Sequence, residues 1–153
     1  MVRRPARPTR PSAGPRTSAT PPASRDASPC LCGLPASYGE CCGRFHSALA
    51  AAPTAERLMR ARYSAFAVGD EPYLIRSWHP VTRPSRVDLD AAMRWAGLEI
   101  LATTDGSAFH TTGTVTFRAR YTRRGERGTL HERSRFERHD GAWVYVEGTF
   151  VDD

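Results

Sequence analysis

The sequence predicts an α+β fold in which helices come first and an antiparallel meander follows. Apolar residues recur at helical spacing from Leu58 to Val68, then switch to strict alternation from Val115 to Tyr121. The dipeptides Asp105-Gly106 and Asp140-Gly141, with the Arg124-Gly125-Glu126 stretch between them, punctuate the second half at hairpin spacing. Four cysteines crowd into the 13 residues from Cys30 to Cys42, ahead of the first helix, so a small separate element precedes the domain.

Residues 1–28 read as a disordered, Arg/Pro-rich tail. They hold six Arg against one acid, and six Pro, with almost no large apolar side chains. Such a segment cannot bury enough surface to offset the entropy of ordering it. The six Pro argue against the amphipathic helix of an organelle transit peptide. A solvated tail, or a segment ahead of the true start, accounts for it. Of the +6 formal charge the tail carries +5; the remainder holds 16 Arg against 15 acids. All 22 basic residues are Arg, as codon bias in a GC-rich genome would give. The domain itself is near neutral, which weighs against nucleic-acid binding. No run approaches the roughly 18 apolar residues of a membrane span, and no apolar export signal is present, so the chain reads as cytoplasmic.

Each element has its own signal. Thr54 can cap a helix from Ala55 to about Val68, ended by Gly69, with Leu58, Ala61, Ala65 and Val68 on one stripe. A short helix is expected over Glu71 to Trp78, with Pro72 in its first turn and Pro80 beyond its end. A third is expected over Val87 to Ala96, with Leu89, Met93 and Ala96 on one side and Gly97 ending it. Strands follow at Leu98–Thr104, Thr111–Arg123, Gly128–Arg138 and Ala142–Phe150. The helices would cover one face of a curved antiparallel sheet, leaving the other to solvent or a partner.

Residues 29–46 form the cysteine segment. Its spacing is Cys-x-Cys, eight residues, then Cys-Cys, and Gly33, Gly39 and Gly43 permit tight turns. Four thiolates this close can surround one tetrahedral Zn²⁺, so Cys30, Cys32, Cys41 and Cys42 are the expected ligands. For zinc-finger peptides such binding supplies about 10–16 kcal/mol, which would be most of the folding energy of this segment. Disulfides would suit an exported chain, and vicinal cysteines bond poorly to each other. A redox role lacks the usual Cys-x-x-Cys. His46 is a substitute ligand ranked below the four cysteines.

With Cys30-Leu31-Cys32-Gly33, Tyr38 and Cys41-Cys42-Gly43 in register, the segment resembles the SEC-C zinc motif, found at the C-terminus of the SecA translocation motor. There it serves contacts with the chaperone SecB and the ribosome. Here Leu31 replaces the usual Pro, and the loop Leu34-Pro35-Ala36-Ser37 lacks the usual lysines, which puts such docking in doubt. The rest of the chain is similar to the YchJ family of small bacterial proteins. The strings that carry this are Leu58-Met59-Arg60-Ala61-Arg62-Tyr63-Ser64-Ala65-Phe66, Tyr73-Leu74-Ile75, Trp78-His79-Pro80, Glu132-Arg133-Ser134-Arg135-Phe136 and Trp143 to Thr149. The resemblance runs from about Cys30 to Phe150. It implies a cystatin-like, nuclear-transport-factor-2-like cone over residues 54–151, and no particular activity.

Folds of that kind often hold a pocket between helices and sheet. In the strand from Gly128 to Arg138, Glu132 and Ser134 share a face with Leu130 and Phe136, so two polar groups sit on a core-facing side. Glu132 is then either a brace paired with an Arg such as Arg62, or a general base exposed in a pocket with Tyr63, Tyr145 or His79 as partners. Tyr63, Trp78, His79, Glu132, Ser134 and Tyr145 are the pocket candidates, with Glu132 the weak catalytic candidate. Arg133 and Arg135 fall on the opposite, solvated face. The favoured reading is a non-catalytic, zinc-binding cytoplasmic protein whose domain takes a ligand or protein partner. The alternatives are a small isomerase- or dehydratase-type enzyme using the pocket, and a translocation- or ribosome-associated adaptor acting through the zinc knuckle.

Overall fold

The computed structural model describes residues 25–152. The tail expected over residues 1–28 lies outside the described residues except for 25–28. These form a turn, with Ser28 N–H donating to Arg25 O, and Ser28 O in turn accepts from Tyr38 N–H at 2.7 Å.

A short 3₁₀ turn (Tyr38–Glu40) and helix α1 (Cys42–His46) close the cysteine segment. Helix α2 (Ala55–Val68) has the expected bounds for the expected reasons. Thr54 Oγ1 accepts the Arg57 N–H at 3.1 Å, and Gly69 takes the left-handed conformation that ends it, φ 79°. Helix α3 (Glu71–Arg76) is capped by Asp70, whose Oδ1 accepts the Tyr73 N–H. It stops two residues before the expected Trp78. Beyond its end Tyr145 N–H donates to Ser77 O and His79 N–H to Tyr145 O, so Trp78 is bridged in parallel to the last strand. Those main-chain groups cover part of a sheet edge, and a longer helix would withdraw them.

The third expected helix does not form. Residues 87–92 carry no helix, and strand β1 begins at Met93 and runs to Asp105. The apolar residues at helical spacing were competing with cross-strand pairing: Met93 lies opposite Arg123 and Trp95 opposite Tyr121. The Trp95 ring packs on those of Tyr63, Phe66 and Tyr121, at 5.8, 6.2 and 5.7 Å. That burial is available only to a strand at this edge.

Strands β2 (Thr112–Arg123), β3 (Glu126–His139) and β4 (Ala142–Phe150) complete one antiparallel sheet in the order β1-β2-β3-β4. The β2–β3 and β3–β4 hairpins turn on two residues each, Arg124-Gly125 and Asp140-Gly141. Both positions have positive φ, 51° and 82° in each turn, as a type I′ turn needs. The expected curvature is not found: the sheet is an open layer that does not curl, its strands pairing only with their sequence neighbours. The central pair β2–β3 runs without a bulge from Thr112–Glu137 to Arg123–Glu126, and register shifts occur only in the pairs to the edge strands. Bulges are what bend a sheet, and its centre has none.

Helix α2 lies between two neighbours. One side packs on the inner sheet face through Met59 and Tyr63; the other receives the cysteine segment at Ala61 and Ser64. The four cysteines, Tyr38 and Phe45 belong to the same buried core as α2, Val115, Phe117 and Phe136.

Candidate functional site

The cysteine cluster is assembled by local backbone geometry. Cys30 N–H donates to Ala36 O at 2.8 Å across a bridge between Pro29 and Ser37, and Gly33, φ 90°, reverses the chain after Cys32. Cys41 and Cys42 sit where the 3₁₀ turn passes into α1. The four sulfurs lie within 4.8 Å of one another, with Cys32 and Cys41 Sγ 3.7 Å apart, and all four thiols are free and buried. A tetrahedron with Zn–S bonds of about 2.3 Å spaces its sulfurs about 3.8 Å apart.

The electrostatics agree with a cation site. Hydrogen bonds from Cys32 and Cys42 hold the Cys30 thiol far below its usual range. The bond to Cys30 pushes Cys32 up to about 11, and bonds to Cys30 and Cys32, with burial, push Cys42 far up. Thiolates this close cannot all ionise unless a cation offsets them. Four soft, buried donors with no open side suit a structural Zn²⁺ rather than a catalytic one. Helix α2 supplies the surroundings. Arg57 Nη2 is 3.8 Å from Cys41 Sγ, Ser64 Oγ is 3.8 Å from Cys30 Sγ, and Arg60 Nη1 donates to Cys32 O at 2.8 Å.

His46 is not a ligand. Its Nδ1 accepts from Tyr38 OH at 2.5 Å and its Nε2 donates to Ala61 O at 2.8 Å, so both ring nitrogens are committed. Burial lowers its pKa, which keeps the ring neutral in that role.

A second site lies between α2 and the inner sheet face. It is a cavity of about 210 Å³ with a mostly aromatic wall that includes Tyr63, Phe66, Trp95 and Phe117. Glu132, Ser134, Tyr145, Trp78 and Arg62 gather in the same cavity. Tyr145 OH donates to Glu132 Oε1 at 3.2 Å. Burial raises the Glu132 pKa, against the opposing effects of that bond and of the Arg62 charge. The Tyr145 hydroxyl is raised as well, first by burial and then by the Glu132 charge. Arg62 is only 3% exposed. Its Nη1 donates to Leu74 O and Ser77 Oγ, and its guanidinium lies over the rings of Trp78 and Tyr145, at 4.9 and 4.5 Å. Burial lowers its pKa to about 10, so it keeps its charge at neutral pH. Arg62 meets Glu132 through its field and, among the described residues, not through a hydrogen bond. Ser134 Oγ and Trp78 Nε1 are buried without a hydrogen-bond partner among the described residues.

Five of the six pocket candidates, Tyr63, Trp78, Glu132, Ser134 and Tyr145, therefore line one cavity, while His79 does not. The His79 Nδ1 accepts from Val81 N–H, its Nε2 lies 3.8 Å from Glu137 Oε2, and its ring is 5.2 Å from that of His139. The sequence reading missed Trp95, which it had placed on a helix. It also missed Arg57 and Ser64, although Arg57, Arg60, Ala61 and Ser64 share one helical face and could have been read as facing the thiols. Gly148 was missed too. A Cβ there would lie 1.5 Å from Glu132 Oε1, so a glycine leaves the space that the carboxylate occupies.

Residues 54–148 match a family model described as "YchJ, middle NTF2-like domain". This chain belongs to the YchJ family. Relatives of this YchJ-family chain carry the designation UPF0225. One from Streptomyces coelicolor is 70% identical over 124 residues, 81% of this chain and 97% of the relative. One from Bordetella parapertussis is 45% identical over 131 residues, 84% and 96% of the two chains. Two solved structures are similar. The solution structure of a SEC-C motif containing protein from Rhodopseudomonas palustris has a TM-score of 0.71 at 33% identity, covering 80% of this chain and 98% of that one. The crystal structure of a SEC-C motif containing protein from Psychrobacter arcticus has a TM-score of 0.69 at 26% identity, covering 85% and 86%. The family's SEC-C-like motif is thus the cysteine cluster described above.

Proposed function

We propose that this YchJ-family chain is a zinc-braced binding protein, in which the pocket between α2 and the sheet takes a small organic ligand and the knuckle holds α2 in place. The observation that carries this is the cavity: an aromatic wall beside the buried Arg62 and Ser134 and the half-buried Glu132 and Trp78. Packing alone does not call for such a group, since each polar atom set there without a partner costs stability. Small-molecule sites have this composition, an apolar lining with a few convergent polar groups. The four buried free thiols suit a reducing compartment such as the cytoplasm. Among the described residues no helix is long and apolar enough to cross a membrane.

One observation favours a second reading, that of an enzyme. Glu132, with its raised pKa, shares a hydrogen bond with Tyr145, which is the disposition of a general base beside a hydroxyl donor. The adaptor reading has less behind it. The knuckle turns inward, with Arg60 bonded to Cys32 O and Arg76 to Phe45 O and His46 O, and its outer loop lacks lysines.

The test is a ligand-observed NMR screen of protein purified under reducing conditions, with metal content measured on the same sample. The reading predicts one zinc per chain and hits that lose binding in Gly148→Ala, where the added methyl displaces the Glu132 carboxylate. A folded protein with no such hits would contradict it. Turnover of a hit, abolished in Glu132→Gln, would favour the enzyme.

A further inference from the structure

The sheet face turned away from α2 carries an uneven charge. Register places Arg94, Arg118, Arg120, Arg127, Arg133 and Arg135 on it, against three acids, Glu99, Glu137 and Glu147. All of these Arg except Arg118 are exposed. The chain beyond residue 28 holds 16 Arg and 15 acids, so the rest of it has ten Arg against twelve acids. A near-neutral domain is thus divided into a basic sheet face and a slightly acidic remainder.

The acids of this face are already engaged. Glu99 lies 3.7 Å from Arg120, and Glu137 and Glu147 both hold Arg135, at 2.6 and 3.3 Å. Arg94, Arg127 and Arg133 have no ion-pair partner among the described residues. Arg133 stands between Thr116 and Thr149 across the sheet, and between His131 and Arg135 along β3. Like charges set side by side on a sheet repel. An antiparallel sheet can simply face water on one side, but a face shaped by solvation alone gains nothing from that order.

Shape and spacing indicate what would offset the charge. A depression of about 230 Å³ lies beside Arg133, lined also by Thr114, Arg135, Glu147 and Thr149. With Arg135 occupied by two acids, Arg133 and the Thr hydroxyls are the donors left there for a carboxylate. The basic positions run on to Arg127, six residues along β3 and about 20 Å away, farther than one small anion reaches. His131, Arg133 and Arg135 are alternate residues about 7 Å apart, and an extended peptide repeats the side chains of one face at the same spacing. Nucleic acid fits less well. Phe117, Tyr121 and Phe136, the aromatic residues of β2 and β3, all fall on the inner face, which leaves none on these strands to stack on bases.

We propose that the outer sheet face docks an extended acidic segment of a partner protein, with one carboxylate seated against Arg133 and others running along β3 toward Arg127. The site is separate from the pocket, and neither needs the other.

The probe is a short peptide of alternating Glu and Thr, titrated into the full chain at about 0.15 M salt, where only close charges still act strongly. A peptide of alternating Lys and Thr and an oligothymidylate are the comparisons. The Glu peptide is expected to move the backbone amide signals of residues 131–135 and to leave the indole signals of Trp78 and Trp95 in place. At those amides it should bind about tenfold more tightly than either comparison. Arg133→Glu should weaken it about tenfold with no fall in Tm, since the side chain has no partner to lose. Arg44→Glu makes the same change of charge on the knuckle, which α2 separates from the sheet, and should leave binding unchanged. Equal loss in both variants, or none in either, would mean that net charge or the N-terminal Arg hold the peptide, and overturns the proposal. Oligothymidylate that binds as tightly at residues 131–135 overturns the partner class. No shift at those residues overturns the proposal outright.

Discussion

Glu132 sits where folding pays least attention to it and the pocket most. Its carboxylate accepts one hydrogen bond, from Tyr145, and feels the Arg62 charge, yet burial still raises its pKa. The folded state therefore binds this proton more tightly than the unfolded chain does. Stability from this group grows as pH falls from the raised folded pKa toward the ordinary value near 4.5, and is lost as pH rises through the folded pKa. Glu132→Gln, neutral at every pH, should not lower the Tm at neutral pH. The wild type should gain on it as the solution is acidified through that window, which paired thermal melts across pH would show. A lower Tm of the variant at pH 7 would mean that the carboxylate is chiefly a brace for Arg62. The inward placement of Glu132 and Ser134 was legible, because alternation on a strand assigns faces, and Arg62 could be named as a partner for the acid. The missing partners of Ser134 Oγ and Trp78 Nε1 were not legible, since they depend on how distant segments pack. His79 misled because adjacency to Trp78 in sequence says nothing about where the ring goes once the chain runs along β4.

Among the elements, α2 and the hairpins were the clearest and residues 87–96 the least clear. Caps and turns announce themselves through single residues with one conformational job: Thr54, Gly69 and the positive-φ pairs Arg124-Gly125 and Asp140-Gly141. Around Met93 the marker misled: Gly97 sits at a register shift inside β1 rather than at a helix end, and the apolar spacing fits both a helix and an edge strand. Long-range pairing with β2 decided it, as tertiary context often does. Curvature was not legible either, because bulge positions follow from hydrogen-bond register rather than composition. The cap on α2 also carries a prediction. Thr54 Oγ1 satisfies one of the helix's free N–H groups, and Ala55 N–H is taken by Gly106 O at 2.9 Å. Thr54→Ala should cost about 1 kcal/mol in urea unfolding. Because α2 carries residues of both sites, the loss should appear as one cooperative transition; a second transition would mean that α2 can fray alone.

At the scale of the molecule, the knuckle and the domain share one core. The four-cysteine set was legible from spacing alone, since few chemistries use four cysteines in this pattern. The docking of the set was not: the sequence reading expected zinc to supply most of the knuckle's folding energy. Instead Cys30 lies beside Ser64, Cys41 beside Arg57, and His46 is bonded to Ala61 O, so the knuckle closes over one side of α2 while the pocket opens on the other. The proposed function requires that zinc bound at the knuckle act on the pocket through α2. The most direct test is a thermal melt of the reduced protein with its metal and after chelation, followed by near-ultraviolet circular dichroism of the tryptophans, since Trp78 and Trp95 both line the pocket. A marked fall in Tm on chelation, with loss of the tryptophan signal at low temperature and recovery of both on adding one equivalent of zinc, is the predicted result. An unchanged melt and tryptophan signal in metal-free protein would contradict the account, because the domain would then hold its pocket without the knuckle's metal.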